Sequence, residues 1–117
     1  MSKREPELYL TDILTSIEKI DSYIKTITFE NFEEDEKTLD AVVRNLEIIG
    51  EAAKYISQDQ DFIKSNAHVP WKEMVSMRNK VLHEYFGVDI DILWKTINED
   101  LPKLKVQITS LLKLNHT

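Results

Sequence analysis

A chain of 117 residues, 42% hydrophobic and 31% charged, is long enough for one domain that buries roughly two-thirds of its unfolded surface, and too apolar to stay disordered. It has no run near the ~18 apolar residues that span a bilayer, no apolar stretch in Met1–Pro6 for a secretory signal, and no cysteine. Its net charge of −6 sits in residues 1–40, with 5 Lys/Arg against 11 Asp/Glu, while residues 41–117 are balanced, which excludes coating nucleic acid by broad counterion release. A single domain over residues 1–117, cytoplasmic and with no membrane association, is the expectation.

In chain order, Leu10, Ile13, Leu14, Ile17, Ile20, Ile24 and Ile27 step by threes and fours, so the spacing predicts a first helix over about residues 7–27. Pro6 suits its first turn. An acidic loop, Thr28 to Glu36, is expected next. A second helix over about 35–57 turns Leu39, Val42, Val43, Leu46, Ile49, Ala53 and Ile56 inward. Gly50 in its middle costs about 1 kcal/mol against Ala, which points to close packing on a neighbouring helix. The polar stretch Gln58 to Val69 holds one helical turn around Phe62-Ile63. A third helix opens at Pro70-Trp71 and stops near Phe86, where Gly87 suits a left-handed cap. Asp89 or Asp91 caps the last helix, which buries Leu93, Ile97, Leu101, Leu104, Ile108 and Leu111. Pro102 predicts a kink or break there, with Asp100 able to recap. No strand-like alternation of useful length is present. The reading is all-α, an up-and-down four-helix bundle with a short extra helical turn and a kinked last helix.

The third helix breaks its own pattern. Its inward stripe runs Trp71, Met74, Val75, then Val81, Leu82 and Tyr85, but Arg78 stands one turn before Leu82. A guanidinium in an apolar stripe is costly unless something pairs with it. It either pairs with a bundle carboxylate such as Glu47 or Glu51, or it serves a site. His83 lies five residues on, about 140° round the helix; Asn79 and His83 share one face, Arg78 and Tyr85 another. One helix does not converge these groups neatly, whereas a second copy facing it across a two-fold axis would. Arg and His suit a phosphodiester, because guanidinium binds phosphate oxygens and imidazole moves protons near neutrality. Neither a metal-ligand cluster nor a nucleophilic Ser or Cys arrangement is visible, so no cofactor and no metal are expected.

Arg78-Asn79-x-x-x-His83-x-Tyr85 resembles the signature of HEPN domains, specifically the HepT-like toxins encoded beside a minimal nucleotidyltransferase antitoxin. The likeness extends to Arg44-Asn45-Leu46-Glu47-Ile48-Ile49-Gly50-Glu51-Ala52-Ala53, Pro70-Trp71, Met77, His83-Glu84-Tyr85-Phe86-Gly87-Val88-Asp89 and Leu93-Trp94-Lys95-Thr96-Ile97, in the family's order, over roughly residues 8–105. The resemblance implies a homodimer with facing motif helices and a composite active site. It also implies metal-independent endoribonuclease activity on RNA, with the ribose 2′-hydroxyl attacking the adjacent phosphate. Arg78 would stabilise that phosphate, His83 would act as general acid or base, and Asn79 would position substrate or His83. Tyr85 would be the AMP acceptor through which the cognate nucleotidyltransferase silences the toxin. The chain departs from this picture in charge, which offers no broad RNA track. The alternative is a non-catalytic HEPN module that docks a nucleotidyltransferase or a nucleotide through the Arg78/His83 groove.

Other features read more plainly. Glu47 and Glu51, at i and i+4, are a structural partner for Arg44 or Arg78 before they are a metal pair, since no histidine accompanies them. Trp71 and Trp94 are core or interface anchors before they are base-stacking platforms. The acidic run Glu33-Glu34-Asp35-Glu36 is a solvated face or a dock for a basic partner surface. His68 and His116 are given no role.

Overall fold

A computed structural model of the chain describes the backbone of residues 5–84 and 90–115 and the side chains of residues 5–77 and 90–113. Among the described residues seven helices follow one another: α1 Pro6–Ile24, α2 Phe29–Glu34, α3 Glu36–Ile56, α4 Gln60–Ser65, α5 Trp71–Glu84, α6 Ile90–Lys95 and α7 Leu101–Asn115, with a π-helical turn, Thr96–Asp100, joining the last two. Among the described residues there is no strand. The all-α expectation holds, and the apolar steps of the sequence are the reason.

The inward set of α1 is fully or nearly buried from Leu10 through Ile24, with Leu14 half-buried. On α3 the buried arc is broader, from Val42 to Ile56, because the helix is sandwiched between α1 and α5. Gly50 is buried in that arc with an ordinary right-handed backbone, so its missing side chain, not an unusual φ, is what the position uses. On the far side, α7 packs on α1, and Lys105 Nζ stands 3.6 Å from Asp21 Oδ2. A groove lined by both α5 and α7 shows that these two also adjoin. The helices α3, α1, α7 and α5 thus close a four-membered ring around one apolar core.

Three expectations need correction. The acidic loop after α1 contains a helix: Thr28 caps α2 through its side-chain oxygen, which accepts from the Asn31 N–H at 3.2 Å, and Phe32 is wholly buried beneath it. α1 ends at Ile24, short of Ile27, because this second helix needs the intervening residues for its turn and cap. The last helix neither breaks nor recaps at Asp100. Instead the backbone widens into the π turn, with Leu101 N–H donating to Thr96 O, so that the ring of Pro102 meets a looser turn at the carbonyl it would otherwise strike. The wider turn also absorbs the two successive four-residue steps Leu93, Ile97, Leu101, all buried, which a regular α-helix would rotate off the core.

The remaining caps follow sequence chemistry. Asp35 caps α3 and Asp59 caps α4, each accepting a backbone N–H three residues on. The single turn expected around Phe62-Ile63 is the six-residue α4. Since α6 begins at Ile90, Asp91 lies inside its first turn and is not its cap; Asp89 and Gly87 lie outside the described residues.

Candidate functional site

Helix α5 is set by its first turn. Trp71 is buried, its indole N–H donates to the Asn66 carbonyl at 2.9 Å, and its ring packs on Phe62 with centroids 5.9 Å apart. Buried aromatic N–H groups need such an acceptor, so Trp71 fixes where the helix starts as well as which face turns inward. Met74, one turn on, is 1% exposed, and Val75 and Met77 pack against the core from its edge. α5 lies along α3, whose buried arc includes Gly50.

Three of the four sequence-predicted site residues stand on this helix. Its backbone runs unbroken to Glu84, so Arg78, Asn79 and His83 share one rigid element, with Arg78 and His83 about 7.5 Å apart along the axis and on different strips. Arg78 stands at i+4 from buried Met74 and i+7 from buried Trp71, the register positions that face a helix's own core. The side chains of Arg78, Asn79 and His83, and the whole of Tyr85, lie outside the described residues.

Other candidate groups lie among the described residues. Glu47 pairs within its own helix: its carboxylate is 3.9 Å from Arg44 Nη1, with Arg44 largely exposed, a pair worth at most about 1 kcal/mol. Glu51 is exposed. Among the described residues no three His, Cys, Asp or Glu side chains gather in a way that could hold a metal ion. Trp94 is half-buried between Phe32 and Phe29, at centroid distances of 5.0 and 5.9 Å, so it anchors α6 on α2. Trp71 and Trp94 are packing residues, as expected. His68 is exposed, and its carbonyl accepts from Gln107 Nε2 at 3.3 Å; His116 lies outside the described residues. No described helix is long and apolar enough to cross a membrane.

Sequence reasoning missed the groove between α5 and α7. Among the described residues, Met74, Met77, Leu101 and Leu104 form its apolar lining. Methionines and leucines at helical spacing read as core from sequence, so no local signal marked it.

Comparison with known proteins gives one consistent result. The family model described as "Ribonuclease HepT-like" matches residues 13–111. A protein of Thermococcus cleftensis named "Probable ribonuclease HepT" is 49% identical over 111 residues, 95% of this chain and 99% of the relative. Two proteins named as candidate RNases follow: one from Methanocaldococcus jannaschii, 44% identical over 92% of this chain and 97% of its own length, and one from Caldanaerobacter subterraneus subsp. tengcongensis, 42% identical over 94% and 96%. No solved structure matches the chain.

Proposed function

We propose a function from one premise: this chain belongs to the HepT-like ribonuclease family. On that premise it is an endoribonuclease that cuts RNA without a metal ion, and Arg78, Asn79 and His83 are its catalytic residues. The observation that carries the proposal is continuity. The family match spans all of α5, and the Arg78-to-His83 motif runs along that helix without a break.

The chemistry balances with these groups alone. A neutral imidazole takes the proton of the ribose 2′-hydroxyl, the 2′-oxygen attacks the adjacent phosphorus, and the bond from phosphorus to the 5′-oxygen breaks. A protonated imidazole returns a proton to that leaving oxygen. The products are a 2′,3′-cyclic phosphate and a 5′-hydroxyl. Arg78 opposes the negative charge that grows on the phosphoryl oxygens, and Asn79 orients substrate or imidazole. The scheme calls for two imidazoles in opposite protonation states, while each chain offers one at the motif. A homodimer with facing α5 helices supplies both, so the site is composite. Tyr85, two residues beyond His83, is the acceptor for AMP from a cognate minimal nucleotidyltransferase antitoxin. The added phosphate and bulk next to the motif would repel RNA and exclude it.

Purified, unmodified protein is expected to cleave RNA in EDTA, leaving cyclic phosphate ends. Arg78→Ala and His83→Ala each lose at least ~100-fold in rate. Cleavage that persists in both variants sinks the catalytic assignment. No cleavage by the wild type, together with co-purification of a nucleotidyltransferase, selects the binding-module reading instead.

A further inference from the structure

We infer that the groove between α5 and α7 seats an unpaired nucleotide of the RNA next to the cleaved bond, one whose base carries an exocyclic amine. The inference rests on the ribonuclease reading of Arg78 and His83. Met74 and Met77 line the groove, and Arg78 follows Met74 by four residues, the same strip of α5 one turn on, so a strand whose phosphate reaches the motif has this depression as its neighbour. The floor of Met74, Met77, Leu101 and Leu104 is apolar and polarizable, the kind of surface on which the face of an unstacked base settles. The rim is polar and mixed. Lys103 and Gln107 come from α7, Glu73 from α5 and Asp100 from the π turn.

Charge decides what that rim accepts. From Leu101 to Thr117 the chain carries three lysines and no carboxylate, which makes α7 the long helix that a phosphate approaches at least cost. Lys103, exposed on the rim, is its basic group nearest the floor. Glu73 and Asp100 repel phosphate but accept from amino groups, as carboxylates do from the N4 amine of cytosine. Adenine, cytosine and guanine present such an amine and uracil does not. At about 350 Å³ the groove is large enough to receive a single flipped base.

The test uses single-stranded oligonucleotides on full-length protein, with binding of a 2′-deoxy analogue, which cannot be cleaved, followed by fluorescence anisotropy. Met77→Ala and Lys103→Glu are expected to weaken binding of a cytidine-bearing oligonucleotide by up to about tenfold, the upper scale of one sulfur–aromatic contact, and to raise KM more than they lower kcat. Lys113→Glu reverses an equal charge on the same helix away from the groove and is expected to bind like wild type. Replacing cytidine by uridine at the flanking position should cost several-fold, and Glu73→Gln should shrink that difference. Equal losses for Lys103→Glu and Lys113→Glu, or no loss in Met77→Ala and Lys103→Glu, overturn the groove. Wild-type protein that binds through the groove yet never cleaves leaves the groove standing and removes the ribonuclease reading.

Discussion

Asp35 closes α2 and opens α3 within one residue. Its backbone N–H donates to Phe32 O at 3.3 Å, while its carboxylate accepts from the Thr38 hydroxyl at 2.7 Å and the Thr38 N–H at 3.1 Å. The Thr38 hydroxyl, then the Thr38 N–H, hold its pKa below the ordinary carboxylate value. A pKa depressed by folding contributes stability at pH values above the unfolded pKa, and that contribution fades as pH falls through the folded one. Asp35→Ala should therefore lower Tm by a few degrees at neutral pH, and the gap to wild type should narrow steadily below pH ~4. A gap independent of pH would show that the charge is irrelevant to the cap. Phe32, three residues earlier, tests the buried side of the same junction. Wholly enclosed and in ring contact with Trp94, it should cost about 3–5 kcal/mol in urea unfolding when truncated to Ala.

At the scale of elements, α1, α3 and the buried row Leu93 to Leu111 were legible in the sequence because each repeats an apolar residue often enough to define a face. α2 was not, since six residues give a periodicity one turn and a half to show itself, and four of the nine residues from Thr28 to Glu36 are glutamates. The signal that would have found it is local: a Thr cap, Glu30 in the first turn, and Phe29 and Phe32 three apart. The π turn was legible as a disturbance at Pro102 and illegible as a remedy, because whether a helix breaks or widens depends on the core around it. Helix α5 divides the same way. Trp71 and Met74 could be read as inward, and the motif stood out by misplacing an arginine, whereas the groove beside it required α7 to be in place. Gly50 allows a sharp element-scale test. Gly50→Ala gains helix propensity of about 1 kcal/mol but adds a methyl to a closely packed face, where overpacking costs about 1–3 kcal/mol. Net destabilisation in denaturant is expected; a gain in stability would mean that α3 has slack there.

For the whole molecule, the proposal of a composite site makes a stoichiometric prediction. Wild-type chains mixed and re-equilibrated with an excess of the Arg78→Ala/His83→Ala double variant should lose activity more steeply than the wild-type fraction falls, because mixed dimers would hold incomplete pockets. Activity strictly proportional to wild-type chains would place a complete site in each copy. The ring of helices has a further implication, for synthesis. α1 is covered on one side by α7, and nearly eighty residues separate the end of one from the start of the other. Their closure carries a loop entropy that neighbouring hairpins do not. On the ribosome, then, α1, α3 and the motif helix α5 emerge and pair first, while one apolar flank of α1 waits for α7 to be made. A nascent chain halted after α5 would expose that flank to chaperones and proteases, so α7 serves as the checkpoint between a chain that holds the motif and one that has folded around it.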